Sequence, residues 1–174
     1  MKKLLDRVAR VGLPVSGGRN LVAFSGGVDS SVVAAAVHKV FPDNSSAVIG
    51  RSSALPVSQL RLAREVASHI GIELIEFETK EGGREQYLEN NGMACYACKS
   101  ELYSGLEGVI DFVSSSSSSL SSSLSSSSSS LPLRLFNGTN RDDRADDTRV
   151  GLMAASEFAV ESPIDHLHKD EVRA

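Results

Sequence analysis

A short apolar run, Leu21-Val22-Ala23-Phe24, ends at two adjacent glycines, Gly26 and Gly27, and a second, longer apolar stretch follows from Ser30 to Val37. Four continuous apolar residues suit a strand buried on both faces, and the longer stretch suits a helix. A strand, a tight glycine turn and a helix form the opening half of a parallel crossover unit, which needs further strands beside it. The rest of the chain offers them. Residues 47–50, 72–77 and 133–136 read as strands two to four. Helices are predicted over 1–11, with Leu4, Leu5, Val8 and Val11 at helical spacing, over 57–70 with Gly71 at the C′ position, over 99–113 and over 151–158. A last short extended piece lies at Val160. The alternation predicts the α/β class, as a doubly wound parallel sheet with helices on both faces.

Composition narrows the function classes. The chain has 174 residues, enough for one compact domain or a domain and a fragment of a second. Eighteen Lys and Arg stand against 22 Asp and Glu, a net charge of −4, so no basic field exists to hold a nucleic-acid backbone. Nucleic acid is therefore not an expected partner. Hydrophobic residues make up 41%, and no stretch approaches the roughly 18 apolar residues that span a membrane. A soluble protein is expected. Charge interrupts the opening Met1-Lys2-Lys3-Leu4-Leu5-Asp6-Arg7 before a signal peptide's apolar core could form, which predicts a cytoplasmic location and remains compatible with a short organellar address.

Between residues 114 and 130 lie 15 Ser and 2 Leu. Such a tract buries too little apolar surface to offset its ordering entropy, so it is expected to be a disordered linker inserted into one domain that covers 1–174. The end of the sequence falls just after Lys169-Asp170-Glu171-Val172-Arg173 opens another helix, which predicts a fragment or a shortened chain.

The loop Ser25-Gly26-Gly27-Val28-Asp29-Ser30-Ser31 carries the chemistry. Gly26 and Gly27 permit a tight turn that exposes backbone N–H groups, and the positive end of the following helix lies behind them. Phosphate is the ligand this arrangement suits. Hydroxyls of Ser25, Ser30 and Ser31 add donors, and Asp29 either caps the helix or holds a cation that bridges phosphates. Neither the Walker A pattern nor the dinucleotide G-x-G-x-x-G is present. Ser16-Gly17-Gly18 repeats the tripeptide ahead of the strand, where no helix dipole follows, and reads as a turn.

Ser-Gly-Gly-x-Asp-Ser in this setting resembles the PP-loop of the ATP pyrophosphatase superfamily. The resemblance implies an adenine nucleotide alpha hydrolase-like, HUP-type fold and cleavage of ATP between the α and β phosphates. Segments 51–56, 91–99 and 137–143, with Asp147-Thr148-Arg149-Val150-Gly151-Leu152 and Glu161-Ser162-Pro163-Ile164, are similar in order and spacing to the ATP-dependent sacrificial sulfur transferase (LarE) family. That family implies adenylation of a carboxylate on a pyridinium mononucleotide and then attack by an enzyme sulfur, on the way to a nickel-pincer cofactor. ATP, Mg²⁺ and a small carboxylate-bearing nucleotide are the implied ligands, with no membrane partner; a homo-oligomer is compatible. The family's C-terminal part lies beyond Ala174.

With a strand order of 3-2-1-4, the binding crevice would lie between the carboxyl ends of strands one and four. Gly138, Thr139, Asn140 and Asp143 would then face the phosphates opposite Gly26, with Asp29 and Asp143 as Mg²⁺ contacts. For Asp142-Asp143 and Asp146-Asp147 a solvated acidic turn is an equal alternative. Arg149 or Arg141 could clamp a carboxylate or phosphate, or pair with that acidic run. Arg149 is favoured because Arg149-x-Gly151 resembles the family's Arg-Pro-Gly, although Val150 replaces the proline. Ser52 and Ser53 are placed near the adenosine, or cap a strand. Cys95 and Cys98 are the two cysteines of the chain, and the pair reads as metal, iron–sulfur or sulfur-transfer ligands, as a redox dithiol, or as packing. Catalytic roles under the resemblance fall to Asp29, Arg149 and Cys98. His38, His69, His166 and His168 show no ligand spacing. The rival readings are a nucleotide-binding module without catalysis and, within the superfamily, tRNA thiolation or amidation of the NAD synthetase kind.

Overall fold

Residues 1–52, 55–79, 132–145, 155–156 and 158–174 are described by the computed structural model. Helix α1 (Lys2–Val11) and a 3₁₀ turn (Val15–Gly17) lead into β1 (Arg19–Ala23), and α2 (Val28–Val40), β2 (Ser45–Arg51), α3 (Val57–Ile70) and β3 (Glu73–Glu78) follow. Later come β4 (Leu133–Phe136) and two short helices, α4 (Arg141–Arg144) and α5 (Lys169–Arg173). The four strands form one parallel sheet in the order β3-β2-β1-β4. An isolated parallel bridge from Glu161 to Phe136 continues the sheet beside β4, next to the extended piece expected at Val160.

Alternation along the strands divides the core. Val22, Phe24, Ala47, Ile49 and Phe136 face one layer, where they meet Leu4 and Val8 of α1, Val33 and Val37 of α2, Ala63 and Ala67 of α3, and Val172 of α5. Leu21 and Val48 face the other side and pack with Ala155, Phe158 and Val160. Burial on both faces explains why β1 and β2 read as continuous apolar runs. The edge strand β3 is half-buried, and two of its carboxylates are paired, Glu76 with Arg64 and Glu73 with Arg19. Phe136 is fully buried beside the crevice, and truncating such a ring costs about 3–5 kcal/mol.

The α/β class and the parallel sheet are as the sequence predicts, and α3 and β4 match at both ends. β1 and β2 begin earlier than their apolar cores because the ladder continues through polar residues, Asn20 opposite Ser45 and Ser46 opposite Leu21. These buried polar side chains are bonded: Asn20 exchanges two hydrogen bonds with the Leu13 backbone, and Ser46 donates to Glu73. α2 spans more than the expected 30–37, beginning at Val28. Gly71 ends α3 at φ 83°, its N–H bonded to Ala67 and Ser68 carbonyls. Ile72 joins this cap through Ala67 O, so β3 starts one residue later than expected. The helix expected over 99–113 and the Ser tract 114–130 lie outside the described residues, as does most of 151–158. Among the described residues no helix is long and apolar enough to cross a membrane.

Candidate functional site

The loop after β1 is closed by its own serines. Gly26 sits at φ 73°, a left-handed conformation that favours glycine, and Gly27 is the N-cap of α2. Gly27 O accepts from Ser31 N at 3.0 Å, from Ser30 Oγ at 3.0 Å and from Ser31 Oγ at 2.8 Å. With the Ser30 proton committed to Gly27 O, the Ser25 hydroxyl is the donor in the 3.2 Å contact between Ser25 Oγ and Ser30 Oγ. Ser30 Oγ also accepts from Ser25 N, and Ser25 Oγ accepts from Gly27 N. The hydroxyls read from the sequence as anion donors therefore hold the turn in this structure. Further donors come from the first turn of α2, at Val28 and Asp29, where a helix offers no i−4 carbonyl to bond. Thirteen residues of aligned peptide dipoles stand behind them.

Asp29 lies in that first turn, half-buried, and its Oδ1 is buried without a hydrogen-bond partner among the described residues. A carboxylate oxygen removed from water and left unpaired is costly, and a cation or a ligand donor would relieve it. No group of three or more His, Cys, Asp or Glu that could hold a metal ion occurs among the described residues. One carboxylate is nevertheless enough for Mg²⁺ where substrate phosphates and waters complete the octahedron, so this site fits that ion.

The loop after β4 reaches across the crevice to the first turn of α2. A Cβ built on Gly138 would stand 2.7 Å from Ser30 N and 2.8 Å from the Asp29 carbonyl carbon. Gly138 thus abuts the helix N-terminus. Asn137 holds this approach: its N–H donates to Glu161 O, and its Oδ1 accepts from Thr139 N at 3.1 Å and Ser162 Oγ at 2.7 Å. Thr139 and Asn140 are buried. Asn140 caps α4 through its Oδ1 and Asp143 N, while Asp143 Oδ2 accepts from Asn140 N, a reciprocal capping box. The Nδ2 atoms of Asn137 and Asn140 are both buried and without a partner among the described residues. Beside the loop lies a cavity of about 350 Å³ lined by Thr139, Arg144, Ser156, Glu161 and Ser162 among others.

Asp142 has a structural task. It accepts from Lys169 N and His168 Nδ1, both at 2.7 Å, and so ties α4 to the start of α5. The Lys169 N–H, aided by His168, holds its carboxyl below the usual range. Ser52 lies at the end of β2, where its carbonyl accepts from Leu55 N. Ser53, Cys95, Cys98, Asp146, Asp147 and Arg149 lie outside the described residues. Sequence reasoning missed Gln59 of α3, whose Nε2 donates to Ser25 O. Its spacing of four from the buried Ala63 was the available signal.

Residues 3–90, half of the chain, match the asparagine synthase family. The chain belongs to that family. Domains of the asparagine synthase family of this kind are PP-loop ATP pyrophosphatases, nucleotide-binding and ATP-utilising, in keeping with the Ser25–Ser31 loop. Two curated relatives are similar. The uncharacterized protein slr1717 of Synechocystis sp. is 34% identical over 157 residues, 89% of this chain and 52% of that protein. The tRNA-specific 2-thiouridylase MnmA of Halothermothrix orenii is 36% identical over 104 residues, 48% of this chain and 29% of that protein. The chain thus spans about half the length of the first relative and less than a third of the second. Among solved structures, the glutamine-dependent NAD⁺ synthetase of Acinetobacter baumannii, in complex with ADP, superposes with a TM-score of 0.66. It is 17% identical, with 97% of this chain and 29% of that chain covered. This likeness shows the fold, the adenine nucleotide alpha hydrolase arrangement of the NAD synthetases.

Proposed function

We propose that the chain uses ATP to activate a carboxylate and passes the activated acyl group to sulfur. The carboxylate oxygen attacks the α-phosphorus of ATP, the bond from that phosphorus to the oxygen bridging to the β-phosphate breaks, and pyrophosphate leaves. A thiolate then attacks the acyl carbon of the acyl-adenylate, and AMP departs. The loop from Ser25 to Ser31 carries this reading. Left-handed Gly26, the N-cap Gly27 and the N–H groups at the start of α2 form a cradle for the departing anion, preorganised where charge develops.

Asp29 would hold Mg²⁺ through its Oδ1, which has no hydrogen-bond partner among the described residues, and Asp143 of the facing loop is the second proposed contact. When bound, the ion supplies neutralisation of the charge growing on pyrophosphate. Gly138, Thr139 and Asn140 are proposed as the opposite wall, and Ser52, just after β2, as an adenosine contact. Arg149 is proposed to clamp the substrate's carboxylate or phosphate, and Cys98 with Cys95 to hold the sulfur, a metal or an iron–sulfur cluster. The nickel-pincer branch, with a pyridinium mononucleotide as acceptor, rests on the LarE resemblance. The 2-thiouridylase relative supports sulfur as the transferred element.

Pyrophosphate detection tests the reading. With ATP, magnesium and a pyridinium mononucleotide carboxylate, pyrophosphate should appear at a rate that depends on the acceptor. ATP binding without acceptor-dependent pyrophosphate would overturn the adenylation step and leave a nucleotide-binding module.

A further inference from the structure

We propose that Gln59 is a positioning residue that sets the direction of the Gly26 N–H and thereby the affinity of the loop for pyrophosphate; the proposal rests on the reading of that loop as the pyrophosphate site. Gly26 makes the loop permissive, because its φ is not restricted to one sign and the peptide between Ser25 and Gly26 can turn over at little steric cost. Something outside the loop must select one orientation. α3 does this at two points on one face, four residues apart. Gln59 Nε2 donates to Ser25 O, and the backbone of Ala63 lies so close to Gly26 that a Cβ there would come within 2.8 Å of Ala63 Cα. In a planar trans peptide the C=O and the following N–H point to opposite sides. Holding Ser25 O toward α3 therefore turns the Gly26 N–H away from α3, toward the mouth where the first-turn N–H groups of α2 converge.

The serines do not duplicate this contact. They bond Ser25 N, Gly27 N and Gly27 O, and leave the Ser25 carbonyl to Gln59. Gln59 is half-buried on the surface of α3, so replacing it removes a donor without opening the core.

The test is calorimetric titration of the wild-type chain, Gln59→Leu and Gln59→Glu with magnesium pyrophosphate and, separately, with adenosine. Gln59→Leu keeps the bulk without the donor, and Gln59→Glu sets an acceptor against the carbonyl. Losing one hydrogen bond that orients the loop should weaken pyrophosphate about five- to tenfold in Gln59→Leu and at least as much in Gln59→Glu. Adenosine affinity should be unchanged. Equal pyrophosphate affinity in wild type and Gln59→Leu would overturn the positioning role while leaving the loop as the anion site. Parallel loss of pyrophosphate and adenosine would mark a general structural effect and also overturn it. A wild-type chain that binds adenosine but no pyrophosphate would overturn the loop reading itself.

Discussion

Gly138 and Ser30 meet backbone to backbone: a Cβ on Gly138 would fall 2.7 Å from Ser30 N, closer than real Cβ atoms stand to a backbone atom. The crevice between β1 and β4 is thus narrowed to direct contact at one point, and the capped loop after β4 leans on the helix N-terminus that the proposed mechanism uses. Gly138→Ala should push the two apart, lowering stability by about 1–3 kcal/mol and weakening ATP more than adenosine. Denaturant midpoints and paired titrations check this; an unchanged stability would mean that the contact yields freely.

Asp29 separates function from folding. Its Oδ1 has no hydrogen bond to lose among the described residues, so Asp29→Ala should leave stability unchanged or raise it. Pyrophosphate release should fall by about 100-fold or more, the scale of losing an electrostatic group at the reacting charge. Release at the wild-type rate would remove Asp29 from the mechanism.

Asn140 holds the facing loop through its cap. Asn140→Ala deletes the acceptor of Asp143 N and should cost about 1–2 kcal/mol. Asp143→Ala, which leaves the Asn140 acceptor in place and removes the bond that Asp143 Oδ2 accepts from Asn140 N, should cost less. Thermal unfolding of the two variants ranks them, and the reverse order would contradict the capping assignment.

Asp142 links acid to the docking of α5. Its carboxyl titrates below its ordinary value of 3.8 because Lys169 N donates to it and His168 lies beside it. A depressed folded value stabilises above the ordinary one, and the gain is lost as the pH falls below 3.8 toward the folded value. Asp142→Asn should therefore flatten part of the acid limb of stability. Urea midpoints of both proteins on either side of that pH measure the difference; curves that stay parallel would show no such linkage.

Chain order alone made the strands, the α3 boundaries and the glycine loop readable, because each depends on a few neighbouring residues whose apolar spacing or φ preference is intrinsic. The polar ends of β1 and β2 were hidden for the same reason: Asn20, Ser45 and Ser46 enter the sheet through ladder partners about 25 residues away, not through their own propensity. The serine hydroxyls of the loop could be named but not assigned, since whether they face outward or bond Gly27 depends on a turn already folded. Gln59 beside Ser25, Gly138 against Ser30 and Asp142 at the head of α5 were settled only by packing. Each joins segments between 27 and 108 residues apart, whose approach is fixed by which faces of the helices and strands exclude water together.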